Sequence, residues 1–275
     1  MMYAVLGALA LIAGILALLK ARRAPTTLPV PIAAGKSANA VNVLNTIMGT
    51  SAGGALLVAV GLALLASTSF VQIDGDKIGH LRRIYGYKEL PPGRIIALDG
   101  QKGPQAEILG PGFHFIPLVQ VLFKVEEFPI VKVPEGSYGE IVAVDGVPMP
   151  EGMFIAPQIP DKDVAEMLQA EMFLRRGGHR GPQETVLKPG EYRLNRYLFN
   201  VRVGKDTLAT MIPAGHVGVI KSNVFKPGTQ CVEEVKAADA IEGALSVPLV
   251  PIGCIGIWRE PILPGAYYLN RKAYD

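Results

Sequence analysis

One short turn phrase occurs three times in this sequence, and that repetition restricts the fold more than any other feature does. The phrase is Leu-x-Pro-Gly or a near copy, and its Pro-Gly pairs begin at Pro111, Pro189 and Pro264, 78 and 75 residues apart. Two copies share the longer pattern Gly-Pro-Gln-x-x-x-Leu-x-Pro-Gly, so three unrelated turns are a poor explanation. Repetition at a near-constant spacing indicates that one supersecondary unit recurs along the chain.

Each copy of the phrase predicts a tight turn between two strands. Proline fixes φ at the first central position of a type II turn, and glycine supplies the positive φ of the next. Stretches rich in Ile and Val precede the turns at 91–100, 134–146 and 212–223, and two of them end in Asp-Gly, which favours a hairpin. The residues assigned to structural turns are Pro111, Gly112, Pro189, Gly190, Pro264 and Gly265.

These signals predict an α+β chain with three β-rich modules, at 74–134, 135–211 and 212–275. The second module carries an inserted amphipathic helix at 161–176, where Asp161 is the expected cap, and a second short helix is expected at 233–245. The third module ends on a strand with no closing element. This ending suggests a longer natural chain or a shortened relative.

The N-terminal 73 residues are strongly apolar and predict a membrane anchor. Residues 3–19 and about 49–72 have the composition of transmembrane helices, joined by a linker at 20–45 that contains basic residues and no acidic ones. Basic residues follow the first stretch, whereas a signal peptide has them in front. We therefore expect an integral membrane protein whose C-terminal part faces the extracytoplasmic side. Small residues that would let these helices pack closely are Gly49, Gly53, Gly54 and Gly61.

The remaining composition excludes several functions. The formal net charge is only +3 and no basic stripe is present, which argues against a nucleic-acid partner. The four histidines are scattered, and Asp99 and Asp145 each precede a glycine, where Asp favours turns. We predict no catalytic, cofactor-binding or metal-binding residue, and no enzymatic activity. Cys231 and Cys254 form one disulfide or remain two buried thiols, and we expect the thiols.

The phrase Ile-Leu-Gly-Pro-Gly-Phe-His-Phe-Ile-Pro-Leu at 108–118, placed after an apolar N-terminus, resembles the SPFH or band 7 family of stomatin, prohibitin, flotillin and HflK/C. The phrase at 256–270 looks like one in the flotillin-like members. The resemblance implies a membrane-anchored scaffold, of bacterial inner-membrane type, in which copies of the chain form a large ring or cage. Such a scaffold organises a membrane microdomain and holds a partner protease or transporter.

The chain also departs from that family, because it has three modules and no coiled-coil heptads. Vault-shell proteins use similar repeated β modules, so the phrase does not separate the two groups. Two alternatives therefore remain open. The first is a membrane-tethered adaptor whose β modules bind a protein or ligand without forming a large assembly. The second is a membrane-bound hydrolase whose site lacks a familiar motif.

Overall fold

The computed structural model describes residues 2–23, 51–231 and 248–275, with the backbone alone at 2–4, 20–23 and 51–53. Most of the predicted linker at 20–45, Gly49 and the helix predicted at 233–245 lie outside the described residues. The chain divides into two compact units. One consists of Met1–Asp74 with Pro111–Val125, and the other of Gly75–Gly110 with Glu126–Asp275.

Helices α1 (Met2–Arg23) and α2 (Ser51–Ser67) pack closely in the first unit. A Cβ atom added at Gly61 would lie 2.7 Å from the backbone nitrogen of Leu11, and one added at Gly54 would lie 3.0 Å from Leu18 Cγ. Glycine at these positions lets the two backbones approach each other.

No helix in the described part of the chain is long and apolar enough to cross a membrane. The 17 residues of α2 span about 26 Å at 1.5 Å per residue. That length falls short of the ~30 Å hydrocarbon core of a bilayer. The predictions of two transmembrane helices and of an integral membrane location are therefore wrong.

The first module pairs its strands in two places. β1 and β4 form a two-stranded antiparallel ribbon in the first unit. A separate three-stranded sheet has β2 between β3 and β5. Helix α3 is a single turn before β5. The elements are β1 (Phe70–Ile73), β2 (Lys77–Arg83), β3 (Gly103–Leu109), β4 (Gly112–Phe115), α3 (Val119–Leu122) and β5 (Phe123–Pro129).

The second module repeats this topology. Its ribbon is β6 with β9, and in its sheet β7 lies between β8 and β10. Gly139 opposes Leu187 as Gly79 opposes Leu109, and both sheets carry a bulge two residues later. The elements are β6 (Val131–Val133), β7 (Gly139–Ala143), α4 (Val164–Met167), α5 (Ala170–Arg175), β8 (Gly181–Leu187), β9 (Gly190–Tyr192) and β10 (Phe199–Arg202).

The third module has the same plan with shorter strands. The bridge from Gly218 to Ile262 continues the pairing of β12 with β14, and it matches the Gly139–Leu187 pair of the second module. Residues 273–275 run beside 221–223, so this module does have the closing segment that the sequence did not predict. The strands are β11 (Thr210–Ile212), β12 (Lys221–Ser222), β13 (Leu249–Val250), β14 (Gly256–Trp258) and β15 (Gly265–Tyr267), with a 3-10 turn at Lys205–Thr207 before them.

The stretch 91–100 is not the strand that its sequence suggested. It is largely turn, and it touches β3 through one parallel bridge between Ala97 and Gln105. Ala156 lies beside Gln183, and Val250 beside Trp258, in the same way. In each module, therefore, an inserted segment covers the edge of the third strand. Covered edges prevent uncontrolled strand pairing.

The helix predicted at 161–176 is two short helices, α4 and α5, separated by Leu168 and Gln169. Its first residue is Val164 rather than one next to Asp161, and no side-chain cap forms. Phe173 and Leu174 are buried in the core of the second module, so α5 covers the sheet as expected. Gly177, at φ 76°, ends the helix.

Candidate interaction surface

A segment that follows each ribbon is called here the docking segment (residues 118–122, 195–199 and 270–274), and its second and third copies join successive modules. In all three copies the backbone folds alike. The carbonyl of its first residue, Leu118, Asn195 or Asn270, accepts hydrogen bonds from the N–H groups three and four residues later. The first copy has one extra residue after its ribbon glycine, and Leu118 takes the left-handed φ of 55°.

The asparagine of each later docking segment binds the preceding module. Asn195 Nδ2 donates to the carbonyl oxygens of Gln105 and Ala106, at 2.8 and 2.9 Å. Asn270 Nδ2 donates to the carbonyl of Gln183 at 2.9 Å. Both asparagines are buried, where a hydrogen-bond partner is required. The same contact therefore joins the first module to the second and the second to the third.

The acceptor side is repeated as well. The Gln105 side chain donates to the backbone carbonyls of Gln101 and Gly103. The Gln183 side chain donates in the same way to the backbone carbonyls of His179 and Gly181. At the third position stands Trp258, whose Nε1 donates to Cys254, again four residues earlier. Tryptophan thus keeps one of the two local bonds that glutamine makes.

A second surface of each module, which we call the docking face, consists of the two residues on either side of Gly79, Gly139 or Gly218, the glycines that pair with Leu109, Leu187 and Ile262. They are Ile78 and His80 in the first module, Tyr138 and Glu140 in the second, and Val217 and Val219 in the third. His80 Nε2 accepts the N–H of Arg196 at 2.7 Å. Glu140 pairs with Lys272 at 3.4 Å, and the Tyr138 hydroxyl accepts the N–H of Arg271 at 3.4 Å.

Burial separates the third docking face from the other two. The four residues on the first two faces are 0–4% exposed, whereas Val217 and Val219 are 59% and 65% exposed. The backbone position of the three faces is nevertheless the same. Each face flanks a glycine, Gly79, Gly139 or Gly218, that pairs with the equivalent residue of the third strand. The equivalent residues of the other two modules are buried, whereas these two valines are exposed. The third docking face is therefore a candidate interaction surface.

Burial also sets the ionisation of groups between modules. It lowers the pKa of His80, which supports a neutral ring that accepts the N–H of Arg196. Burial and a hydrogen bond to Glu126 raise the pKa of Tyr197 to about 12. The same two causes, with Glu184 as the acceptor, raise the pKa of Tyr274. These contacts are made by uncharged phenol and imidazole groups near neutral pH.

A cleft of about 400 Å³ lies beside the contact between the second and third modules. Trp258 packs edge-on against Tyr274 at its wall, with ring centroids 5.5 Å apart. Two carboxylates also line it, and both have partners, because Asp161 pairs with Lys188 and Glu184 accepts the Tyr274 hydroxyl.

The structure places no reactive cluster around the acidic and histidine residues singled out in the sequence. Asp145 is buried, accepts the N–H groups of Ile95 and Ile96, and lies 3.4 Å from Arg94. Asp99 pairs with Arg175 at the surface. His114 is in β4, His179 precedes β8, and His216 is exposed. Within the described residues, no three His, Cys, Asp or Glu side chains are grouped to hold a metal.

The turn glycines lie where the repeat phrase put them, at the starts of β4, β9 and β15. Pro111, Pro189 and Pro264 precede the three strands. Gly112 and Gly190 have the predicted positive φ, whereas Gly265 does not, so the predicted turn geometry is wrong for the third copy. Gly53, Gly54 and Gly61 are all in α2.

The two cysteines form a disulfide, Cys231–Cys254, with Cα atoms 5.7 Å apart. The expectation of two free thiols is therefore wrong, and the single bridge is the outcome. Sequence spacing could not decide this, because the chain must fold before the two residues meet.

No family model, curated protein or solved structure matches the chain. Nothing therefore identifies it as an SPFH or band 7 protein, and the family description drawn from the Gly-Pro-Gly phrase is not supported. The interaction surface rests on the geometry of this chain alone.

Sequence reasoning missed the asparagines and the docking faces for different reasons. The asparagines carried a signal, since Leu-Asn-Arg occurs at 194–196 and again at 269–271. The docking faces carried none. Ile and His, Tyr and Glu, and Val and Val share no chemistry, and only strand register relates them.

Proposed function

We propose that this protein is a structural scaffold that assembles with copies of itself through its β modules. The observation that carries the proposal is the third docking face. Its two counterparts in the same chain are covered by a following module, and Val217 and Val219 are exposed. An apolar face in that position favours a protein partner that covers it, because burying such side chains stabilises an interface.

The experiment is sedimentation velocity of the full chain over about 1–100 µM, a range that covers weak and moderate protein association. We expect the mean sedimentation coefficient to rise with concentration and the species to be multiples of 29.3 kDa. A single 29.3 kDa species throughout that range would overturn the proposal.

The cleft beside Trp258 favours a second function, an adaptor that binds a segment of another protein. Its aromatic side chains suit a segment that carries a basic residue, because a cation is attracted to the face of an aromatic ring. The two functions differ in a simple measurement. An adaptor would stay monomeric and would quench or shift the fluorescence of Trp258, the one tryptophan, when a basic peptide is titrated. A scaffold changes mass with its own concentration and needs no peptide.

A further inference from the structure

We infer that the cleft beside Trp258 binds an arginine side chain of a partner protein. The guanidinium group stacks on the aromatic wall of the cleft and donates hydrogen bonds to the carboxylate of Glu184. This inference rests on the adaptor function proposed for the cleft and names the residue that the adaptor recognises. It does not depend on self-assembly.

The walls of the cleft are aromatic, and most of their polar atoms are already used. Four aromatic side chains line it, Tyr192, Trp258, Tyr268 and Tyr274. The indole N–H of Trp258 donates to the carbonyl of Cys254 at 3.2 Å. The hydroxyls of Tyr192 and Tyr274 donate to the carbonyl of Lys188 and to Glu184. A ligand therefore meets ring surface more than hydrogen-bond donors, and the face of an aromatic ring attracts a cation.

Glu184 supplies a negative charge that no cation balances in the described part of the chain. The residue is half-buried, and its Oε1 accepts the Tyr274 hydroxyl, an uncharged donor, at 2.6 Å. The other carboxylate of the cleft differs, because Asp161 pairs with Lys188 at 3.3 Å, both of them exposed. A charge removed from water is costly unless an opposite charge and hydrogen bonds accompany it. Glu184 therefore favours a ligand that is a cation and a hydrogen-bond donor.

Arginine fits this combination better than lysine does. Its guanidinium is planar, stacks on aromatic rings, presents a fork of N–H donors to a carboxylate, and is more weakly hydrated than an ammonium group. The acceptors left for that fork are Oε2 of Glu184 and the side chain of Gln158, which makes no hydrogen bond within the described residues. A lysine ammonium is compact and strongly hydrated, so it loses more on leaving water and cannot stack.

A neighbouring cavity leaves room for the rest of the segment. It has a volume of about 510 Å³ and shares Glu184, Trp258 and Tyr274 with the cleft. Phe225 and Ile252 line it and are 45% and 50% exposed. An apolar side chain next to the arginine would cover them, and burial of that surface would stabilise the complex. The chemistry thus fits a protein segment better than free arginine.

The first test uses the original chain and needs no variant. Isothermal titration calorimetry measures the affinity for the peptide acetyl-Ala-Leu-Ala-Arg-Ala-Leu-Ala-amide and for the same peptide with lysine or glutamine in place of arginine. We expect the arginine peptide to bind at least about tenfold more tightly than the lysine peptide, and the glutamine peptide to show no binding.

The outcomes separate the inference from the function on which it rests. Equal affinity for the arginine and lysine peptides would overturn the choice of arginine, while the adaptor function stands. Failure of both basic peptides to bind would remove the adaptor function and the inference with it. Acetylarginine amide that binds as tightly as the arginine peptide would overturn the assignment of a protein partner.

The second test removes the charge of Glu184. Glu184→Gln keeps an acceptor for the Tyr274 hydroxyl, and we expect it to weaken binding of the arginine peptide by about 10- to 100-fold. The control is Glu135→Gln, an exposed glutamate of the second module that does not line the cleft, which should leave the affinity unchanged. Circular dichroism and the unfolding temperature check that both variants fold. An unchanged affinity in folded Glu184→Gln would overturn the inference, and the peptide series decides the question if that variant does not fold.

Discussion

At the scale of single residues, one backbone position carries three different side chains. His80, Glu140 and Val219 occupy the same place in successive modules, and the first two suit the groups that lie opposite them. The imidazole accepts a backbone N–H, and the carboxylate pairs with an ammonium group. A buried polar group is stable only with such a partner. The backbone at this position is thus the same in every module, and the side chain there determines which group can pack against it.

Protonation of His80 should weaken the protein. Burial lowers its folded-state pKa below the ordinary 6.5, so its contribution to stability is complete above pH 6.5 and is lost as the pH falls through the folded pKa. A charged imidazole also cannot accept the N–H of Arg196. We expect the unfolding temperature to drop from pH 8 to pH 5, and His80→Gln to reduce that slope.

The matched control for this pH effect is His216→Gln, because His216 is exposed in the third module. That variant should keep the slope of the original chain. Parallel pH profiles for the original chain and His80→Gln would show that His80 has no part in the effect.

Removing the Asn195 amide should be costly. Asn195→Ala leaves the buried carbonyl oxygens of Gln105 and Ala106 without their donor, and an unsatisfied buried group costs about 1–3 kcal/mol. Urea unfolding should show a loss of that size in the free energy of unfolding. Asn200→Ala, at an exposed position of β10, should change it by less than about 0.5 kcal/mol. Equal losses in the two variants would contradict this role for the amide.

At the scale of elements, the sequence predicted the turns and misplaced one strand. Pro-Gly restricts backbone angles locally, so the ribbon turns at 111 and 189, where the glycine has positive φ, could be predicted from the pattern. The stretch at 91–100 has the Ile pair and the Asp-Gly of a strand, yet it is an insertion held by Asp145. A local signal cannot distinguish a strand from a segment that packs beside one, because the difference lies in the long-range partner.

The disulfide should stabilise the third module. It closes a loop of 23 residues, and the chain-entropy relation gives about 3 kcal/mol for a loop of this size. Replacing both cysteines, Cys231→Ser with Cys254→Ala, should lower the free energy of unfolding by roughly that amount, as followed by the fluorescence of Trp258 in guanidinium.

The reducing agent supplies the control for this measurement. Dithiothreitol should destabilise the original chain to the same level and should leave the double variant unchanged. A double variant as stable as the oxidised chain would show that the bridge adds no stability.

At the scale of the whole molecule, the second unit consists of neighbour-to-neighbour contacts along a row. The second module contacts the first through Asn195 and the third through Asn270, and the asparagine contact is not used elsewhere among the described residues. Arrays of this kind gain stability as a sum of module terms and interface terms. The sequence predicted that units repeat, but it could not predict how they join, because the joining residues differ from one face to the next.

The two asparagine contacts should therefore contribute independently. They share no hydrogen-bond partner, since Asn195 bonds residues 105 and 106 and Asn270 bonds residue 183. For separate sites, losses in unfolding free energy usually add within about 0.5 kcal/mol. We expect the combined variant Asn195→Ala with Asn270→Ala to lose the sum of the two single losses in urea unfolding. A coupling energy well above 0.5 kcal/mol would mean that the second module transmits a change at one face to the other. In that case the three modules would unfold cooperatively, and a partner bound at Val217 and Val219 would change the stability of the first module.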